Sequence, residues 1–445
     1  MAEHPPLGRD ATVQAAAAPL TPSTPPPAPP AGAAPPASSG GGGNRRGGSG
    51  TFESLKNRDF RLLWIGTVSA GFGQWGQQIG MNWLVYVITG SALQLGAVSF
   101  ASGILSLVLG PFAGLLADRY PRRAIIIISN ALGAFQAAIV AVLVITDTIE
   151  LWHVYVFALI SSVTMTVNQP ARQAYVNDVS TRETLGNAIA MNSIAQNASR
   201  LIGPPMTGVI VAWNVGAAFV WVAATRGIAA LAAMAMARRE QQAHPRRNPF
   251  REVLDGFSYL GHDRMLLLLL IANALPSIFV YPYINFMPIF AEEIFGRGAE
   301  AYGLLVSMLA VGSILGLMGL AWMGDIRRKG PILLAAFLIY LVLVLAFTRM
   351  DIFYVALATL ATAGLFHGLA TTLNNTLFQS SLRPEMRGRG MAAFQMGSGL
   401  MPLGALSMGF LVTHFGIQNG VAISQFICLC GIAAIAIFGK SVRRS

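Results

Sequence analysis

Residues 114–123 read Gly-Leu-Leu-Ala-Asp-Arg-Tyr-Pro-Arg-Arg and form a short basic stretch between two long apolar segments. A degenerate copy, Gly-Asp-Ile-Arg-Arg-Lys-Gly at 324–330, lies between two further apolar segments. The Asp of the copy, Asp325, follows Asp118 of the first stretch by 207 residues. A charged turn between hydrophobic spans that occurs once in each half indicates a duplicated membrane bundle.

The composition supports a membrane protein. The chain has 445 residues, of which 54% are hydrophobic and 11% charged, and its mean hydropathy is +0.57. Soluble domains carry about 25% charged residues. Apolar runs of about 20 residues recur, which is the length of a membrane-spanning helix, and the alternation of a β-barrel is absent. The sequence predicts an all-α membrane protein with about twelve transmembrane helices in two six-helix pseudo-symmetric halves. The predicted helices cover roughly 60–88, 92–116, 124–146, 151–169, 186–212, 215–236, 265–290, 301–322, 331–348, 353–377, 389–413 and 420–438.

The distribution of charge explains the net charge of +11. Lys and Arg fall almost completely in the termini and in the loops on one side of the predicted bundle, whereas the opposite loops hold only Arg297 and Arg349. This pattern is typical of loops that stay in the cytoplasm. It predicts a multi-pass protein of the cell membrane with both termini cytoplasmic, embedded in a lipid bilayer, and it argues against a nucleic-acid partner.

Four segments follow from the composition. Residues 1–50 are mostly Ala, Pro, Gly and Ser and are predicted to be a disordered cytoplasmic tail, with a proline-rich ligand as the alternative. Residues 55–236 form the N-terminal six-helix half. Residues 237–264 form a cytoplasmic linker whose apolar residues recur at helical spacing, which predicts an amphipathic helix. Residues 265–440 form the C-terminal six-helix half.

Further stretches carry a family resemblance. Residues 60–66 read Phe-Arg-Leu-Leu-Trp-Ile-Gly, residues 169–174 read Gln-Pro-Ala-Arg-Gln-Ala, and residues 200–205 read Arg-Leu-Ile-Gly-Pro-Pro. Together with the loop at 114–123 they resemble the major facilitator superfamily, in particular its drug- and siderophore-efflux branch, over about residues 55–440. The resemblance implies a secondary transporter whose two halves rock around a central cavity.

The same resemblance assigns a conformational gate to the two loops and to a Gly-Pro pair in the fifth helix. The predicted gate residues are Gly114, Asp118, Arg119, Arg122, Arg123, Asp325, Arg327, Arg328, Gly203 and Pro204. A packing kink is the alternative for the Gly-Pro pair, and a stop-transfer charge is the alternative for Asp118. The second loop lacks the Leu-Ala-Asp-Arg core, and Arg172 is predicted to lie at the cytoplasmic end of the fourth helix instead of inside it. Both departures argue against the usual proton coupling of the family.

Polar side chains on the predicted helices are candidates for a substrate cavity. They are Gln74, Gln78, Asn82, Asn192, Gln196, Asn285, His367 and Asn374. The resemblance implies that the first, fourth, seventh and tenth helices line the central cavity. Hydrogen bonds between helices are the alternative role for each amide.

Two further residues lie deep in predicted spans. All nineteen Asp and Glu fall in predicted loops, the tail or helix ends, so His367 is the titratable candidate for proton coupling at depth. A neutral histidine packed between helices is the alternative. Arg226 lies about eleven residues into the sixth span. It could bind an anionic substrate or a lipid, pair with a helix end, or extend towards the membrane surface.

Motifs for other chemistry are not found. The Lys440-Ser441 pair lacks the first Gly of a phosphate loop because Ala434 occupies that position, and Cys428 and Cys430 point to different helix faces. The chain is therefore predicted to be no enzyme and to use no cofactor or metal. The sequence favours a monomeric exporter of small amphipathic molecules, drug-like compounds or siderophores, that works by alternating access with protons as a candidate coupling ion. The alternatives are an importer of a small nutrient and a non-transporting membrane receptor or scaffold.

Overall fold

The computed structural model describes residues 53–181, 183–238, 258–324 and 328–443. The described residues are almost entirely helical and contain no strand. The helices are α1 Arg58–Thr89, α2 Ala92–Arg119, α3 Arg122–Ile145, α4 Leu151–Val179, α5 Leu185–Trp213, α6 Val215–Ala235, α7 Arg264–Phe279, α8 Ala299–Met323, α9 Lys329–Phe347, α10 Phe353–Ser381, α11 Arg387–Ser398, α12 Met401–Phe438 and α13 Lys440–Arg443. The predicted tail at 1–50 and most of the predicted linker helix lie outside the described residues.

Twelve membrane spans follow from these helices. Nine described segments are long and apolar enough to cross a membrane, and one of them, Arg264–Ile294, is α7 with its irregular continuation. Two more, α1 and α5, are 32 and 29 residues long but more polar. The last apolar segment, Pro384–Phe438, contains two spans because the chain leaves the helical conformation at Gly416, whose φ is 75°. The described part of the chain therefore confirms the predicted all-α membrane fold.

Local sequence signals place the helix starts. Asn57 accepts hydrogen bonds from the backbone N–H groups of Asp59 and Phe60, at 2.9 and 3.4 Å, at the start of α1. Asn214 accepts from Ala217 at 2.9 Å before α6, and Asp263 accepts from Met265 at 2.8 Å before α7. Such caps satisfy backbone donors that have no partner within the helix.

The predicted end of the fourth helix was wrong. The prediction stopped at 169, before Pro170, but α4 continues through Pro170 to Val179. Proline inside a membrane helix is tolerated because neighbouring helices and side chains can compensate the lost backbone hydrogen bond. As a result Arg172 lies inside the helix and is only 7% exposed. The structure therefore contradicts the predicted absence of an arginine within the fourth helix.

The helices form two groups. In the first helix group, α1–α6, α1 packs on α5 and α6, α2 on α4, and α3 on α4 and α6. In the second helix group, α7–α12, α8 packs on α10, α9 on α10 and α12, and α7 on α12. The groups contact each other mainly where α5 meets α8 and where α2 meets α12.

Each helix group has a face with basic loops and a face with acidic loops. We define the basic face as the helix ends near Arg119, Arg122 and Lys329, and the acidic face as the ends near Asp147 and Glu292. Along α1, α5 and α11 the chain runs from the basic to the acidic face, and along α2 and α8 it runs back. These faces give a reference for the depth of each residue in the bundle.

Candidate transport site

The two helix groups are joined near the acidic face. The Asn82 side-chain amide on α1 donates to Asn285 Oδ1 at 3.3 Å and lies 3.2 Å from the Tyr302 hydroxyl on α8. Nearer the end of α1, the Tyr86 hydroxyl lies 3.5 Å from Glu293 Oε1. These polar contacts cross from α1 to the second helix group.

Close backbone packing strengthens this junction. A Cβ added to Gly208 on α5 would lie 2.6 Å from the carbonyl oxygen of Ala299 at the start of α8. A Cβ added to Gly96 on α2 would lie 2.5 Å from the carbonyl oxygen of Ala405 on α12. Because only glycine fits such contacts, the acidic face is closed in this structure.

The helix groups separate towards the basic face. A cleft of about 460 Å³ lies between α2 and α11, with Leu107 and Gly110 on one wall and Gln395 and Met396 on the other. Nearer the basic face, a Cβ added to Gly114 on α2 would meet no atom within 4 Å. Among the described residues, the two helix groups therefore meet at the acidic face and are separated by a cleft towards the basic face.

Two adjoining cavities in the first helix group share Gln74, Gln169 and Arg172. One has a volume of about 270 Å³ and also contacts Arg226, and the other has a volume of about 280 Å³ and also contacts Arg200. We call the two together the arginine cavity. The rest of its lining is mainly amide and hydroxyl side chains: Thr67, Asn130, Thr166, Asn168, Ser193, Gln196, Asn197 and Ser199. No carboxylate is among the described residues that line it.

Arg226 is held in place by neutral groups. Its side chain is 5% exposed, and Nη2 donates to Gln77 Oε1 at 3.1 Å. The Gln77 amide in turn donates to Ser161 Oγ on α4. Glycine makes the room, because a Cβ added to Gly133 would lie 2.8 Å from Arg226 Cδ. The guanidinium is therefore fixed inside the bundle without an acidic partner among the described residues.

Arg172 shares this situation. Its Nη2 donates to Gln169 Oε1 at 2.5 Å, one turn away on α4. Among the described residues, the Nε atoms of both Arg172 and Arg226 are buried and have no hydrogen-bond partner. Buried polar groups are normally satisfied, so two guanidinium groups with an unpaired nitrogen beside one cavity are unusual.

The second helix group has a cavity of a different kind. It has a volume of about 600 Å³ and lies along the basic-face end of α10 beside α11. Its lining is mostly hydroxyl and amide groups, with one cation: Thr371, Thr372, Asn375, Thr376, Gln379, Ser380, Leu382, Arg387 and Met391. Of the cavities described here, the arginine cavity is therefore the one lined by more cations.

The predicted cavity residues lie in different places. Gln74 and Gln196 line the arginine cavity. Asn82 and Asn285 pair at the closed acidic face, as described above. Asn374 is 1% exposed and donates to the Leu269 carbonyl at 3.3 Å, so it joins α10 to α7.

The other three predicted cavity residues are half-buried: Gln78, Asn192 and His367. The His367 ring packs edge-on against Tyr281, with ring centres 5.2 Å apart, and lies 5.1 Å from the ring of Tyr340. Its Nδ1 is 3.5 Å from Ser313 Oγ. No acidic group is recorded in contact with His367 among the described residues.

The predicted gate residues lie at the basic face and at the junction. Arg122 pairs with Asp178 at 2.5 Å, and Arg123 Nε donates to the Ala233 carbonyl at 3.1 Å. Both contacts stay within the first helix group. Arg119 and Arg328 are exposed. Asp325, Arg327 and the side chain of Asp118 lie outside the described residues.

The Gly-Pro pair of α5 lies at the junction between the helix groups. A Cβ added to Gly203 would lie 2.8 Å from Trp75 Cβ on α1. The carbonyl of Pro204 packs against Gly303 of α8. The pair therefore contacts both helix groups, and its role as a gate stays a prediction.

Sequence reasoning missed part of the arginine cavity. Asn168, Gln169 and Arg172 were placed at or beyond the predicted end of the fourth helix, although spacings of three and four residues put Arg172 on one helical face with both amides. The predicted cavity residues include Gln78 but not its neighbour Gln77, which holds Arg226. The helical spacing was a usable signal, but Pro170 concealed it.

Comparison with known proteins now places this geometry in a family. Residues 49–443 match the family model described as transmembrane secretion effector. The chain belongs to this family. The match confirms the predicted major facilitator superfamily, whose members are transporters.

Two curated relatives of this family member cover most of its length. The staphyloferrin A transporter of Staphylococcus aureus is 27% identical over 365 residues, which is 80% of this chain and 90% of the relative. The multidrug efflux pump Tap of Mycolicibacterium fortuitum is 24% identical over 392 residues, or 84% and 94%. These relatives confirm the predicted drug- and siderophore-efflux branch.

A solved structure supports the fold. The crystal structure of a bacterial homolog of the human lysosomal transporter Spinster, in an inward-facing and unoccupied conformation, has a TM-score of 0.69 to this family member. The match covers 87% of this chain and 96% of that chain at 14% sequence identity. At that identity the likeness concerns the fold alone.

Proposed function

We propose that the protein is a secondary transporter that exports small organic molecules of the drug-like or siderophore classes by alternating access. The single observation that carries the proposal is the arrangement of the two helix groups, which meet at the acidic face and part at the basic face around polar cavities. A bundle that closes at one face while it opens at the other can move a solute without forming a continuous pore. The names of the two relatives supply the substrate classes.

The two helix groups would be the parts that move relative to each other. We take residues 55–236 and 265–440 as the two moving halves and 237–264 as the cytoplasmic connection between them. We propose a monomer as the working unit, because one chain supplies both halves of the bundle. The predicted gate residues would then hold or release the halves at the basic face.

The orientation follows from the charges. Because Lys and Arg concentrate in loops that remain cytoplasmic, the open basic face is the cytoplasmic face of the cell membrane, and both termini are cytoplasmic. The structure would then represent the state in which an exporter takes up its substrate from the cytoplasm.

Protons are the proposed coupling ion, through a carboxylate at a helix end. In the described part of the chain no Asp or Glu lies at the centre of a span, whereas Asp178 lies at the end of α4 in contact with Arg122. A carboxylate beside an arginine can exchange its partner for a proton when the halves move. The His367 ring packs between aromatic residues, which suits a neutral structural histidine better than a proton carrier.

Transport into inverted membrane vesicles tests the proposal. Staphyloferrin A and ethidium serve as probes, with and without an imposed pH gradient. We expect vesicles with the protein to accumulate at least one probe above vesicles without it, and the gradient to increase accumulation. Asp118→Asn should impair transport at normal membrane expression, whereas Asp147→Asn, in an exposed loop of the acidic face, should leave it unchanged.

The same assay separates the alternatives. Accumulation of a probe only in right-side-out vesicles would indicate an importer with the same cavity. No movement of either probe in either orientation, by a protein that is folded and inserted, would contradict transport of these classes and favour a receptor or scaffold.

A further inference from the structure

Three arginines enter the membrane-spanning part of the first helix group without an acidic counterpart in the cavity that they line. Arg172 and Arg226 are 7% and 5% exposed, and Arg200 is half-buried. They come from α4, α6 and α5, and all three line the arginine cavity. Three helices thus direct positive charge to one place.

Burial of unpaired charge is costly, and this makes the arrangement informative. The effective desolvation penalty of a buried ion is several kcal/mol, and ionisable groups within membrane spans usually pair with one another or mark a substrate path. Here the recorded partners of Arg172 and Arg226 are neutral glutamine oxygens, and their Nε atoms are unsatisfied among the described residues. The cavity therefore has an excess of positive charge and of hydrogen-bond donors.

The position of Arg226 excludes the explanation that its side chain extends to the membrane surface. It lies near the middle of the 21-residue helix α6, and its guanidinium contacts Gln77 on α1 and fills the space beside Gly133 on α3. A side chain that extended to the membrane surface would leave these contacts. The guanidinium is directed into the bundle instead.

We propose that the arginine cavity binds an organic anion with at least two carboxylate groups, and that this anion is a substrate of the transporter; the inference rests on the transport function proposed above. Guanidinium groups recognise carboxylates through paired, charge-assisted hydrogen bonds, and the side chains of Arg172 and Arg226 line the same cavity. The amides of Gln74 and Gln169 line both parts of the arginine cavity and can hydrogen-bond to a hydroxyl or a further carboxylate oxygen of such an anion. The cavity along α10, lined mostly by hydroxyl and amide groups, suits the neutral end of a larger substrate.

Thermal unfolding of the purified protein in neutral detergent tests the binding step. The probe is citrate, and its matched neutral analogue is triethyl citrate, with sodium chloride added to equal ionic strength. We expect citrate, but neither control, to raise Tm by about 2 °C or more. Arg172→Gln should abolish the citrate response, whereas Arg349→Gln, an exposed arginine of the acidic face bonded to Asn419, should keep it.

A second variant and a second environment keep the test decisive. If Arg172→Gln does not fold, Arg226→Lys provides the test instead. It retains the positive charge, so it should keep a weakened citrate response. No citrate response in the wild type, or an equal response in a folded Arg172→Gln variant, would overturn the proposal. Stabilisation by nanodiscs of phosphatidylglycerol over phosphatidylcholine, without a citrate response in detergent, would assign the cavity to a lipid headgroup and overturn it as well.

The outcomes distinguish this inference from the proposed function. Ethidium transport in vesicles together with no citrate response would support the proposed transport function and contradict the anion site. A citrate response that depends on Arg172, in a protein that moves neither citrate nor the other probes, would keep the anion site and contradict transport. Competition of citrate with transport of staphyloferrin A, lost in Arg172→Gln, would support both.

Discussion

Gln77 is the residue on which the buried polar network of the first helix group depends. It accepts from Arg226 of α6 and donates to Ser161 of α4. Gln136 of α3 approaches the same serine and also donates to the Phe157 carbonyl at 2.9 Å. Four helices are thereby connected through neutral groups, which orient Arg226 without neutralising its charge.

Replacement of Gln77 by leucine should destabilise the protein more than the same change at Gln78. Gln77→Leu leaves the Arg226 guanidinium without its recorded acceptor, which should lower the free energy of unfolding by about 1–3 kcal/mol. The neighbouring Gln78 is half-buried and has no side-chain hydrogen bond within the described part of the chain. Denaturant unfolding in detergent compares the two variants, and equal losses would show that the network does not hold Arg226.

His367→Gln should leave the pH dependence of transport unchanged. The His367 ring contacts Tyr281 and Tyr340, and glutamine keeps polarity near Ser313 but cannot titrate. We expect a small loss of stability and a wild-type response to the proton gradient. Vesicle transport at several imposed gradients measures this, and a variant that binds substrate but ignores the gradient would make His367 the proton carrier.

At the scale of elements, glycines set how closely the two helix groups approach each other. The contacts of Gly208 with α8 and of Gly96 with α12 lie on the acidic-face side of their helices. Towards the basic face, the same α2 carries Gly110 and Gly114, where an added Cβ would meet nothing within 4 Å. One helix therefore passes from tight packing to an open cleft along its length.

Gly208→Leu should prevent closure of the acidic face. The added side chain would meet the backbone of α8, so the closed-acidic state should be depopulated and export should fall to near background. Val209→Leu is the matched control, because Val209 is 61% exposed and points away from that contact. Probe transport normalised to membrane protein checks the prediction, and a fully active Gly208→Leu would show that this contact does not limit closure.

The elements also show what could be predicted from the sequence. The span limits follow from runs of apolar residues, so most were predicted within a few residues, whereas Pro170 gave a false helix end. The lining of the arginine cavity depends on helix rotation, which separates Gln77 from Gln78 although the two are adjacent. A sequence pattern with weak amphipathicity cannot specify that rotation, because lipid and neighbouring helices both accept apolar side chains.

In the whole molecule, the positively charged loops and the cleft between the helix groups lie at the same face. The face that carries the basic loops is also the face at which the helix groups part. If the basic loops are cytoplasmic, the cavity faces the compartment from which an exporter takes its substrate.

Cysteine labelling tests this orientation. In a Cys428→Ser/Cys430→Ser background, we expect a cysteine at Arg238 to react with an impermeant maleimide only after the membrane is opened. A cysteine at Glu292 should react in intact cells. The reverse accessibility would contradict the orientation, and with it the direction of transport.

Alternating access requires the basic and the acidic face to open in turn. Spin labels in the same cysteine-free background can report both faces, one pair at Gly114 and Gly388 on the basic face and one pair at Thr148 and Ile352 on the acidic face. Distances between the two labels of each pair, measured by pulsed electron–electron double resonance with and without substrate and a pH gradient, report the opening directly. We expect reciprocal changes, with the basic-face pair approaching as the acidic-face pair separates. Distances that stay fixed, or that change in the same direction at both faces, would contradict alternating access in this protein.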